Sequence, residues 1–98
     1  MSDRSFYLEL LTDEKYHELH DVLEQHWKKA SDYIHKKELQ GLIQLIVALH
    51  HLQNDNQRGC EILLVKAAEK LGRRFEDIAE VKAYLETRLE DLEREYLI

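Results

Sequence analysis

The 98-residue chain has no proline, three glycines and one cysteine, and each shortage excludes something. Without proline, no residue breaks a helix by removing a backbone donor and clashing with the preceding turn. Three scattered glycines do not make a glycine-rich phosphate loop. Cys60, the lone thiol, cannot form an internal disulfide, and there is no thiol pair for zinc or redox chemistry. Met1-Ser2-Asp3-Arg4 lacks the apolar core of a signal peptide, and no apolar run approaches the roughly 20 residues of a membrane span. Basic residues are too few and too dispersed for a phosphate-binding surface, since the formal charge is -6. Lys28-Lys29, Lys36-Lys37 and Arg73-Arg74 lack the interleaved aromatics of a stacking platform and read as solvated helix ends. A cytoplasmic protein with neither a nucleic-acid nor a membrane partner is expected.

What the chain does contain is helix-forming. Leu, Glu, Lys, Ala and Gln are abundant, and strand-favouring residues are sparse. An all-α fold follows: a compact bundle of about five helices in a single domain over residues 1–98, with tetratricopeptide-like hairpins although no 34-residue repeat is met. The apolar spacing predicts a first helix near Arg4 to Leu11, then a Thr12-Asp13 turn. A second opens at Lys15 or Tyr16 and fades after Lys29, with Tyr16, Leu19, Leu23 and Trp27 inward. Ser31 to His35 reads as a loop. The third helix, about Lys37 to Gln53, is apolar nearly all round and is expected at the centre. Asn54-Asp55-Asn56 ends it. The fourth, about Gln57 to Leu71, would bury Cys60, Leu63, Leu64, Ala67, Ala68 and Leu71, with Gly72 as a left-handed cap. A fifth, about residues 77–97, carries the stripe Ile78, Val81, Leu85, Leu89, Leu92 and Tyr96. Its charged outer face is solvated or serves self-association, so monomer and homodimer both stay open.

The second helix holds the chemistry. His20 and Glu24 are one turn apart, and Trp27 follows three residues later. His20 projects within the apolar stripe and Glu24 on its margin, so the imidazole should be largely buried and in need of partners. The third helix offers a polar line at Gln40, Gln44 and His51, with Gly41 beside it to allow a close approach. The expected arrangement sets His20 and Glu24 against Gln40, Gln44 and His51 across the interface between helices two and three, with His50 pointing elsewhere. Two histidines and a glutamate form a three-ligand site for a divalent metal such as zinc, manganese or iron, with Trp27, Gln40 and Gln44 contacting a ligand. The same groups would also serve acid–base work. Against both stands a buried polar network that fixes helix register and is chemically inert. Glu14 and His17 form a Glu-x-x-His step, but the second motif of a di-iron bundle is missing.

His20, Glu24 and Trp27 match a His-x-x-x-Glu-x-x-Trp/Tyr pattern, and Leu39-Gln40-Gly41-Leu42-Ile43-Gln44, His51, Asn56 and Gly59 match a second segment. In both, the chain resembles the bacterial and archaeal family known as domain of unknown function 309, over roughly Phe6 to Leu71. Asp21 stands where that family usually has Glu; the position is expected to point outward. The resemblance implies a helical bundle whose motif is suspected of binding metal, and names no reaction. Three functions remain open: a metal or small-ligand site at His20, Glu24 and His51; a protein-interaction module, which an apolar groove near Phe6, Tyr7 or Tyr96 would favour; and a metal-assisted hydrolase.

Overall fold

A computed structural model describes the backbone of residues 5–97 and the side chains of residues 5–95; Arg4 and the Tyr96 side chain lie outside them. Five helices run in order: α1 (Phe6–Thr12), α2 (Tyr16–Lys29), α3 (Tyr33–Gln53), α4 (Gln57–Leu71) and α5 (Ile78–Leu97). The described residues form no strand, and no helix among them is long and apolar enough to cross a membrane.

Local chemistry sets most of these boundaries. Ser5 caps α1 by accepting from the Leu8 N–H, and Asn56 caps α4 by accepting from that of Gly59. Asp77 accepts from the Glu80 N–H at the start of α5, while Glu80 accepts from that of Glu76. Gly72, with φ +68°, ends α4 in the left-handed region that a residue without Cβ adopts freely. The ends of α1 and α3 are built alike but without glycine. Lys15 donates to Leu10 and Glu14 to Leu11, while Asn56 donates to His51 and Asp55 to Leu52. Glu14 (φ 58°) and Asp55 (φ 60°) therefore occupy the left-handed position.

One expectation fails in part. The loop expected over Ser31 to His35 stops at Asp32, because α3 already starts at Tyr33, where the Asp32 carboxylate accepts from the Ile34 N–H. Tyr33 and Ile34 are about three-quarters exposed, so this first turn buries nothing and leaves no periodic signal.

Helix α3 is the centre of the bundle. Leu39, Leu42, Leu45, Ile46 and Leu49 are buried in one core with Tyr7, Leu10 and Leu11 of α1, Tyr16, Leu19 and Leu23 of α2, and Val81, Leu85, Leu89 and Leu92 of α5. Each such leucine contributes roughly 1.5–3 kcal/mol of burial. An Arg88–Glu38 ion pair at 2.6 Å ties α5 to α3. Helices α3 and α4 form an antiparallel hairpin across the Asn54–Asn56 turn. At one end a Cβ on Gly41 would lie 2.7 Å from Leu71 Cγ; at the other, one on Gly59 would lie 3.0 Å from His51 Cγ. Only Cys60 and Ala67 of α4 are buried; Leu63, Leu64, Ala68 and Leu71 are half-buried, because α4 packs chiefly on α3.

Candidate functional site

With Tyr16, Leu19 and Leu23 turned into the core, the 3.6-residue period places His17, His20, Asp21 and Glu24 along one outer edge of α2. His20 Nδ1 lies 3.6 Å from both Asp21 Oδ1 and Glu24 Oε2. His17 Nε2 is 3.8 Å from the other Asp21 oxygen, and Lys28 is 3.9 Å from Glu24 Oε1. The His20 side chain is 33% exposed and that of Glu24 40%, so both are reachable from solvent. One donor atom each from His20, Asp21 and Glu24 falls within 4.8 Å of the others, an arrangement that could hold a metal ion. Ligands about 2.0–2.1 Å from a tetrahedral ion are about 3.3 Å apart. The two 3.6 Å separations from His20 are close to this, and the set as a whole, bounded at 4.8 Å, would draw together around an ion.

Beside this edge a crevice of about 240 Å³ opens between α2 and α3. Its walls are Tyr16, His17, His20, Asp21, Ile46, Val47 and His50. His50 Nε2 lies 3.3 Å from the Asn54 side-chain nitrogen, which donates to it when that ring nitrogen is unprotonated. Burial, reinforced by Glu14, raises the Tyr16 hydroxyl above the ordinary tyrosine range, so it stays protonated at neutral pH.

The residues singled out from the sequence do not all meet here. His20 and Glu24 come together as expected, although His20 is less buried than its place in the stripe implied. His51 is not with them. It sits in the α3–α4 hairpin against Gly59, with Nδ1 3.1 Å from the Asn56 side-chain nitrogen. Gln40 is exposed, and Gln44 is half-buried with its carbonyl oxygen buried and without a partner among the described residues. Trp27 is half-buried against the core, with the Lys36 ammonium 4.4 Å above its ring. The cause is rotational. The Gly41 approach belongs to α4, as does the contact of His51 with Gly59, and Ile46, Val47 and His50 face α2 instead. Two residues were therefore missed. Asp21 points outward as expected, its side chain 62% exposed, and from there its carboxylate still reaches His20; His50, read as pointing elsewhere, lines the crevice beside His20. The i, i+3, i+4, i+7 spacing of His17, His20, Asp21 and Glu24 was the signal available for Asp21.

A second, larger groove of about 480 Å³ is lined by Phe6, Tyr7, Val22, Gln25, His26, Lys29 and Glu93. Phe6 is 55% exposed there. Tyr7 Oη and His26 Nε2 lie 2.9 Å apart. Burial, then His35 and Lys29, holds His26 below the ordinary imidazole range against the opposing pull of Glu95.

A family model described as Domain of unknown function (DUF309) matches residues 5–63. No curated protein and no solved structure gives a significant match to the chain.

Proposed function

The chain belongs to the DUF309 family, and from that premise we propose that it is a helical domain that binds a divalent metal ion, and through it a small ligand, on the outer edge of α2. His20, Asp21 and Glu24 are the ligands in this reading, which replaces His51 by Asp21 and leaves the remaining coordination positions open to solvent and to the crevice beside His50. The observation that carries it is the convergence of one imidazole nitrogen and two carboxylate oxygens within 4.8 Å on one helix edge. A mixed nitrogen and oxygen set suits zinc, manganese or iron. Elemental analysis of untagged protein tests the reading, run beside a His20→Ala/Glu24→Ala double variant and a His51→Ala control. Near-stoichiometric metal that is lost in the double variant and kept in the control supports it. Metal-free wild-type protein that also fails to bind added zinc, manganese or iron overturns it.

A protein-interaction module is the second reading, favoured by the exposed Phe6 ring beside the apolar groove at α1, α2 and α5. Partner capture that survives His20→Ala and is abolished by Phe6→Glu would favour it over metal binding.

A further inference from the structure

Helix α4 keeps a large face uncovered. Arg58, Ile62, Val65 and Glu69 are all exposed, Ile62 at 48% and Val65 at 62%. Their spacing of four, three and four residues places them within a sector of about 60° on a helix that turns about 100° per residue. Two apolar side chains thus form the middle of a stripe whose ends carry opposite charges, each four residues outside the apolar pair.

The stripe reads the same in either direction once charge is exchanged. Arg58 and Glu69 are eleven residues apart, about 16 Å along the axis, too far to pair with each other. Neither makes an ion pair or hydrogen bond among the described residues, whereas Arg73, Arg88 and Arg94 are each bonded to a carboxylate of their own chain. An isologous contact needs a surface complementary to itself. Reversed and laid face to face, a second α4 sets Ile62 and Val65 of one copy among those of the other. The same motion brings Arg58 opposite Glu69 of the second copy, twice over. A parallel arrangement would set Arg58 against its own counterpart.

We propose that α4 is the contact of a twofold antiparallel homodimer of this chain, centred on Ile62 and Val65 and held in register by Arg58 and Glu69. The proposal is independent of the metal site on α2. Two apolar side chains per copy are a small patch, so association belongs at the weak end of specific interfaces.

Sedimentation equilibrium between roughly 10 μM and 1 mM tests it. Wild-type protein should pass from monomer to dimer within that range. Arg58→Glu opposes two glutamates at each end, and Glu69→Arg opposes two arginines; each alone should weaken self-association roughly tenfold. An equimolar mixture of the two variants restores both ion pairs in the mixed dimer and should associate like wild type. All four side chains are exposed, so matching circular dichroism confirms that the variants fold. Wild type that stays monomeric, a dimer that neither single variant weakens, or a mixture that fails to regain association overturns the proposal.

Discussion

Replacing Glu93 should release the first helix from the bundle. At seven residues, α1 is too short to hold itself together in water, so its stability comes from what it touches. Tyr7, Leu10 and Leu11 anchor it by burial, and one carboxylate from α5 holds its N-terminus. Glu93 Oε1 accepts from the Ser5 hydroxyl at 2.6 Å and from the Tyr7 N–H at 2.7 Å, and Oε2 accepts from the Phe6 N–H at 3.1 Å. Hydrogen bonds to a charged group contribute about 1.5–3 kcal/mol when buried, and loss of a helix cap costs about 0.5–2 kcal/mol. Discounting for partial exposure, Glu93→Ala should cost about 1–2 kcal/mol at neutral pH. Each kcal/mol lowers the melting temperature of a domain this size by about 4–8 °C. Glu93→Gln should cost nearly as much, because its amide nitrogen must face a donor. Urea denaturation of the three proteins, repeated as the pH is lowered, tests both size and origin.

The pH dependence has a definite sign. Burial opposes ionisation of Glu93, but the bonds from Ser5, Tyr7 and Phe6 outweigh it and hold the carboxyl below its ordinary value of 4.5. A depressed carboxylate contributes stability that is full above its unfolded value and is lost as pH falls through the folded one. The gap between wild type and Glu93→Ala should therefore be constant at neutral pH and shrink only below about 4.5. Hydrogen exchange at the Phe6, Tyr7 and Leu8 amides should accelerate selectively in the variant. Equal stability of the two proteins at pH 7, or a gap unchanged at pH 3, would refute the reasoning.

Three further outcomes are expected. Glu14→Gly relieves a left-handed residue at φ 58° and should raise stability by about 0.5–1 kcal/mol, net of the added chain entropy; Asp55→Gly should give less, since aspartate tolerates that region better. A lowered urea midpoint for Glu14→Gly would contradict the account of the α1 end. Gly41→Ala puts a methyl group 2.7 Å from Leu71 Cγ, and overpacking of about 1–3 kcal/mol should outweigh the roughly 1 kcal/mol that alanine gains in a helix. A higher melting temperature would show that α4 moves aside easily. His51→Ala should lose about 0.5–1.5 kcal/mol with its Asn56 hydrogen bond and leave zinc affinity unchanged, while Asp21→Asn should weaken zinc binding at little cost in stability. Zinc titration by calorimetry separates the two, and the opposite pattern would return His51 to the metal site.

Much of this protein is written locally. The number of helices, the limits of α4 between the Asn56 cap and Gly72, the burial of α3 and the Val81, Leu85, Leu89, Leu92 stripe all follow from side chains that act within a few residues of themselves. The pairing of His20 with Glu24 is of the same kind, since both lie on one turn of one helix. The fold alone decides which face of α3 meets which neighbour. A helix apolar almost all round marks no face in its sequence, and a glycine that permits close approach does not say to what. The tight turn at Asn54–Asn56 brings α4 against Gly41 and His51, and that rotation turns Ile46, Val47 and His50 towards α2. Asp21 joins His20 because its outward-pointing carboxylate still reaches along the helix edge, and Glu93 caps a helix 86 residues earlier in the chain. Hydrophobic periodicity states how far a side chain is turned from the core, but the partner it meets depends on how whole helices pack.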